Sequence, residues 1–354
     1  MFGTLIKLAI ISSKILRIYD ELTERYVRPT LNLFIKKPFG FGFSTFAKDL
    51  VEKGYANYIN EFSAPGIIGT VRQGKLYVGS LAYSGYKLTI FDEVMNLETK
   101  AKKLILELSE QMTASRDIQG FVEKEFDKEL NGVKYHIKEG KIEVYVHSSY
   151  VFGTASDRIL QDNDLSMLLS RCFVLHLSMD KEEALLLKKG IRRLEINPTG
   201  IPENVVPKVV IPKDENMRLI QLIEEQPSIV DENVGGYFTR VHDDLIRIAS
   251  VHKVAKTVTK GSQEEIQEGL VIDRNDIKFA VKFYPLHQIG FMLGSLRIRE
   301  LEALKYLNGL TAKELAKKLK VNEVTAYRIL NNLVERGLVV KVGHRYFINV
   351  NLDI

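Results

Sequence analysis

The chain has 354 residues, 45% of them hydrophobic, which exceeds what one compact core usually takes and implies two or three domains. Its single cysteine, Cys172, excludes an internal disulfide framework and fits a reducing interior. Lys and Arg outnumber Asp and Glu by 50 to 45, and residues 296–354 carry 11 basic against 6 acidic side chains, so the whole surplus of five lies at the C-terminal end.

The chain opens on FGTLIKLAII, an apolar run interrupted by Lys7. No uncharged run approaches the roughly 20 residues that a bilayer span requires, so a short amphipathic helix on a cytoplasmic protein, with no membrane partner, is expected. The apolar run 31–35 then leads into KKPFGFGFSTFA (36–47). A strand, a turn containing Gly40 and Gly42, and a helix opening at Ser44 and Thr45 have the layout of a phosphate-binding loop. Phe43 stands where that loop needs a lysine, which removes a hydrogen bond to a charged group, on the order of 1.5–3 kcal/mol. The loss in catalysis is larger, because the cation matters most in the transition state. Lys36 and Lys37 precede the turn, Lys37 at the place of the motif's first glycine, and either could reach a phosphate.

KLTIFDE (87–93) is an apolar strand ending in two carboxylates. At the carboxyl end of a buried strand Asp92 would share Mg²⁺ with Thr45, and Glu93 would polarise a water. SYVFGTAS (149–156), the helix-like DNDLSMLLSR and CFVLHLSMD (172–180) follow, so strands alternate with helices. That alternation predicts an α/β fold with a parallel sheet and ligands at the strand ends. Four of the nine prolines fall within 197–216, which marks an extended connector before a helical stretch. The seven histidines are dispersed and show no zinc spacing. His176 reads as a core residue, and Asp243-Asp244 as a solvated helix face.

From Leu296, Leu301, Leu304 and Leu307 give one helix. Thr311 with Glu314 forms a capping box for a second. The stretch EVTAYRILNNLVERG buries Ala326, Ile329, Leu330 and Leu333 and stops at Gly337, and LVVKV and YFINV form a hairpin through Gly343. Three helices and a hairpin resemble a winged helix-turn-helix, whose third helix enters the major groove. Thr325, Arg328, Asn331 and Asn332 would face bases, and Lys317, Lys318, Lys341 and Arg345 would meet phosphates.

With these pieces in order, LTIFDEV resembles a Walker B strand, SYVFGTAS a sensor 1 strand, and LSMLLSRCFVL the arginine-finger segment of the minichromosome maintenance (MCM) family of AAA+ ATPases. Residues 63–94 resemble that family's helix-2 insert, with a hairpin at Gln73-Gly74. Residues 133–146 resemble its pre-sensor 1 hairpin, turning at Glu139-Gly140, where Lys134, Lys138 or Lys141 would point at DNA. YFTRVHDDLIRIASVHKVAKTV resembles its helical lid. The resemblance implies an AAA+ core over 1–215 that binds nucleotide through Lys37, Gly40, Gly42, Ser44 and Thr45, a lid over 216–292 and a winged helix over 293–354. Ser156 is then sensor 1, Arg171 an arginine finger acting on a neighbour in a ring, and Arg240 sensor 2, alongside Asp92 and Glu93. ATP and Mg²⁺ would be the cofactors, with hydrolysis weak or lost, and DNA and other replication proteins the partners. The alternative is a transcriptional regulator whose AAA+-like portion serves only oligomerisation.

Overall fold

The computed structural model describes residues 2–38, 40–118, 125–138, 140–156, 163–177, 196–226, 237–294, 296, 298–335 and 338–348. They fall into two compact units, residues 1–226 with 236–287, and the chain from Gln288 onward.

The first unit begins with α1 (Phe2–Ser12), β1 (Ile18–Asp20), β2 (Arg25–Val27) and β3 (Leu33–Lys36). It continues through α2 (Phe43–Glu52), β4 (Ala56–Ile59), α3 (Ala64–Ile68), the hairpin β5 (Gly69–Arg72) and β6 (Lys75–Val78), β7 (Leu88–Phe91) and α4 (Thr99–Gln111). Four strands follow, β8 (Thr113–Asp117), β9 (Phe126–Leu130), β10 (Val133–Lys138) and β11 (Lys141–Val146), and then β12 (Ser149–Thr154), α5 (Asn163–Leu169) and β13 (Phe173–His176). The unit closes with β14 (Val209–Ile211), α6 (Lys213–Glu224), α7 (Tyr237–Lys260), α8 (Gln263–Glu268), β15 (Leu270–Val271) and α9 (Arg274–Val281). Helix α10 (Tyr284–Gly294) carries the chain onward.

The central sheet has the order β13-β3-β12-β7-β4, and every neighbouring pair is parallel. Numbered along the chain, its strands lie 5-1-4-3-2, so the first strand sits between the fourth and the fifth. All residues of β3, β7 and β12 are buried, as a sheet covered on both faces requires. One face presents Phe34, Phe91, Tyr150, Phe152 and Val174 to the main hydrophobic cluster, with Phe91 stacked on Phe152 at 5.6 Å between ring centres. The expected parallel α/β core is therefore present, with strands shorter than the apolar runs that announced them.

Several features depart from expectation. Helix α1 is not amphipathic on the surface: Leu5, Ile6, Leu8, Ala9, Ile10 and Ile11 are all buried, and Ser12 Oγ meets Ser149 Oγ at 2.7 Å. A helix that is apolar all round belongs inside. The proline-rich connector contributes β14 to a second sheet, β15-β14-β1-β2, in which β14 pairs in parallel with β1 across some 190 residues of sequence. Helices α6 to α9 belong to the same compact unit as the core, and α7 lies against α1 and α9. Asp244 on α7 is buried, paired with Arg247 and accepting from His287 Nε2 at 3.0 Å, so the pair 243–244 is not a solvated face. His176 is half-buried at the end of β13 rather than in the core.

The second unit holds α11 (Ile298–Tyr306), α12 (Ala312–Leu319), α13 (Glu323–Glu335), β16 (Val339–Val342) and β17 (Arg345–Ile348). Its separate core joins Leu304, Leu307, Leu315, Ile329, Leu330, Leu333 and Tyr346. The Thr311–Glu314 capping box forms in full. Leu310 adds a bridge to Tyr346, extending the β16–β17 wing by one short edge. Gly337 and Glu139 lie outside the described residues.

Candidate DNA-binding surface and an acid–lysine cluster in the core

Helix α13 buries Ala326, Ile329, Leu330 and Leu333, as its sequence spacing required. The opposite face carries Val324, Tyr327, Arg328 and Asn331, all exposed and spaced at i, i+3, i+4 and i+7. Val324 and Tyr327 were not among the expected contacts, although the same helical spacing that found the buried face places them here. Val324 is 79% exposed in the first turn, where a solvated valine gains nothing for the fold. Asn332 is a correction: it is half-buried and its Nδ2 donates to Glu300 Oε1 at 3.1 Å, joining α13 to α11 rather than facing outward. Thr325 is half-buried near the helix start, where its N–H donates to Asn322 Oδ1 at 2.8 Å.

Around this face Lys317 and Lys318 stand exposed at the end of α12 and Lys341 on the wing. Lys318 lies over the Tyr306 ring and Lys341 over the Tyr346 ring, at 5.4 and 5.6 Å, which orients both stems and leaves the ammonium groups accessible. Arg345 donates through Nη1 to the Gly309 carbonyl at 2.6 Å, so part of its guanidinium holds the wing to the α11–α12 turn. Glu314 is held below its ordinary carboxylate pKa by the Thr311 N–H and hydroxyl, so it stays ionised in the capping box.

Residues 296–351 match the family described as sugar-specific transcriptional regulator TrmB. This segment is a TrmB-type winged helix. No curated protein matches the chain. The matched family is a regulator family and covers the winged helix alone; no MCM or AAA+ family is matched over the core.

In the core, several of the residues expected at a phosphate site come together. Lys37 precedes Pro38, which favours an extended backbone, and its N–H continues the β3 register by donating to Thr154 O at 3.0 Å. Its side chain crosses β12 at Gly153, where an added Cβ would lie 3.3 Å from Lys37 Cε and 3.1 Å from the Phe43 ring. Lys37 Nζ then sits 3.1 Å from Asp92 Oδ1 and 2.7 Å from Glu93 Oε1, with only 8% of its side chain exposed. Burial works to lower the Lys37 pKa, but the hydrogen bond it donates to Glu93 and the charge of Asp92 outweigh it and raise the value above that of an ordinary lysine. The ammonium is therefore fully charged at neutral pH. Glu93 is in the left-handed region at φ 52°, uncommon for a residue with a side chain, and its Oε2 accepts from the Ala155 N–H at 3.3 Å.

Ser44 Oγ donates to Asp92 Oδ2 at 2.6 Å, and Tyr58 Oη reaches the same oxygen at 3.3 Å. Thr45, expected to share a cation with Asp92, is exposed on α2, and Ser44 is the hydroxyl that touches Asp92. Phe43 is buried, with its ring 5.4 Å from Lys37 Nζ. The hydroxyl and carboxylate at Ser44 and Asp92 are the donor types that hold Mg²⁺ beside a triphosphate, so the residues fit that ion. Gly40 and Gly42 both have positive φ, 77° and 79°, and nothing lies within 4 Å of a Cβ built on either, which leaves the loop backbone accessible.

The remaining expected residues lie elsewhere. Arg171 Nη2 pairs with Glu110 at 2.9 Å and Arg240 Nη1 donates to Ser170 O at 2.6 Å, so these two arginines bracket the end of α5. The Ser156 N–H donates to Thr154 Oγ1 at 3.0 Å, and it is the Ala155 N–H that contacts Glu93. On the four-stranded sheet β8-β11-β10-β9, Lys138 faces Lys141 across the hairpin, and Lys134 faces Glu129. His136 Nδ1 lies 2.5 Å from Asp127 on the same sheet, which makes its outer face mixed in charge rather than basic. No helix among the described residues is long and apolar enough to cross a membrane.

Proposed function

We propose that the protein is a DNA-binding regulator that reads duplex DNA with α13. The observation carrying this reading is the exposed Val324, Tyr327, Arg328 and Asn331 face, set on a TrmB-type winged helix between Lys317, Lys318 and Lys341. Arg328 and Asn331 have the donor patterns that pair with guanine and adenine edges, and Val324 suits a thymine methyl. The lysines supply the sequence-independent contact with phosphates. The 5-1-4-3-2 parallel sheet with Asp92 and Glu93 at the end of its third strand supports an AAA+-type core, whose role in this reading is to assemble copies and to present the winged helices in register. Selection from a random duplex library, followed by titration of the winning sequence, tests the proposal. A regulator discriminates its site from random duplex by about a thousandfold or more.

A second reading, an MCM-like replication protein, draws support from the presence of the antiparallel β5–β6 and β10–β11 hairpins. It predicts equal binding to unrelated sequences and a preference for single strands or forks.

A further inference from the structure

The buried Lys37 ammonium is the least expected feature of the core, because it is wedged between two carboxylates beside a loop that lacks its own cation. We propose that Lys37 is an exchangeable internal counter-ion: it neutralises Asp92 and Glu93 at rest and moves onto the phosphates of a nucleoside triphosphate when Mg²⁺ takes its place between Asp92 and Ser44. The inference rests on the AAA+-type reading of the core.

Four observations carry it. The ammonium stands at the carboxyl ends of parallel strands, where α/β folds place their ligands. It is held by charge-assisted contacts with Asp92 and Glu93 and by the Phe43 ring, at the end of a long stem for which Gly153 keeps a slot open across β12. Ser44 and Asp92 already touch, so a divalent cation finds a hydroxyl and a carboxylate side by side. The loop backbone at Gly40 and Gly42 is open to an anion, while Phe43 is packed away and leaves Lys37 as the cation seen at the acid pair. The charge arrives from the end of β3 instead of the start of α2.

The exchange predicts two effects of opposite sign in one variant. In Lys37→Met, binding of a fluorescent Mg²⁺–ATP analogue weakens by about tenfold or more, because a charged hydrogen bond to phosphate is lost. Binding of Mn²⁺ alone, followed by electron paramagnetic resonance, strengthens by roughly tenfold, because the competing ammonium is gone. A merely structural lysine would give the gain in Mn²⁺ affinity without the loss in nucleotide affinity. Should Lys37→Met fold poorly, the double variant Lys37→Met/Glu93→Gln removes one of the stranded charges and is measured in the same way. A structure of the unaltered protein with Mg²⁺ and a non-hydrolysable triphosphate is the independent check, with Lys37 Nζ expected at about 3 Å from phosphate oxygens. If the unaltered protein binds the nucleotide and Lys37 stays on Asp92 and Glu93, or Lys37→Met binds it equally well, the counter-ion role is overturned while a nucleotide site stands. If the unaltered protein binds no nucleotide at all, both are overturned.

Discussion

The two units treat their cations in opposite ways. In the core, Lys37 is buried between Asp92 and Glu93, and Arg247 is buried against Asp244, so positive charge there is matched locally. In the C-terminal unit, Lys317, Lys318, Arg328 and Lys341 stand exposed, and this is the part of the chain where basic residues outnumber acidic ones. A buried, paired cation organises its own structure, whereas exposed cations on one small unit organise a partner. The difference explains how a chain with a modest net charge of +5 can present a surface suited to a polyanion.

The largest test of this contrast is removal of residues 288–354. Duplex affinity is expected to fall by about a thousandfold or more, to a non-specific level. The far-ultraviolet circular dichroism of the remaining core should be retained; if the truncated chain binds duplex as before, the assignment of DNA contact to α13 fails.

The converse test breaks a charge in the core. Asp244→Asn leaves Arg247 without its buried carboxylate and should cost about 3–5 kcal/mol of core stability, read by urea unfolding. Duplex affinity measured below the unfolding range should not change. Smaller again is Arg328→Ala, which should weaken specific binding by about 1–3 kcal/mol and relax preference at one base pair while leaving stability untouched. Thr311→Ala removes the α12 cap and should cost the winged helix about 1 kcal/mol, detected by its own unfolding transition.

The mildest effect comes from pH. Burial holds His147 and His242 below the ordinary histidine pKa of 6.5, so the folded core keeps them neutral where the unfolded chain takes up protons. Stability conferred by these two residues is present above pH 6.5 and declines as pH falls from there through their folded values. His242→Gln should flatten the acid limb of a plot of melting temperature against pH; an unchanged limb would show that His242 has no part in it.

How much was legible follows the range of the contacts involved. The winged helix could be read residue by residue, because the Thr311–Glu314 box and the Ala326, Ile329, Leu330 and Leu333 stripe are local. The parallel strands were visible as apolar runs, but their order joins β3 to β12 and β13 over more than a hundred residues, and the sequence carries that only through resemblance. Nothing local announces the sheet β15-β14-β1-β2, whose strands have two or three residues each. Asp244 looked solvated because its partner His287 lies 43 positions away. Asn332 was misread for the same reason, since Glu300 is 32 positions earlier. Val324 and Tyr327 are a different case: the helical period pointed to them, but apolar side chains do not advertise a nucleic-acid contact.

The most direct test of the central claim is competitive titration of the full chain with a selected duplex, a random duplex, a single strand and a fork, repeated with Arg328→Ala/Asn331→Ala. A regulator that reads duplex through α13 binds the selected sequence about a thousandfold more tightly than the random one, and the double variant loses that ratio while keeping its weaker, salt-sensitive binding. Equal affinity for all four ligands, unchanged in the double variant, would contradict it.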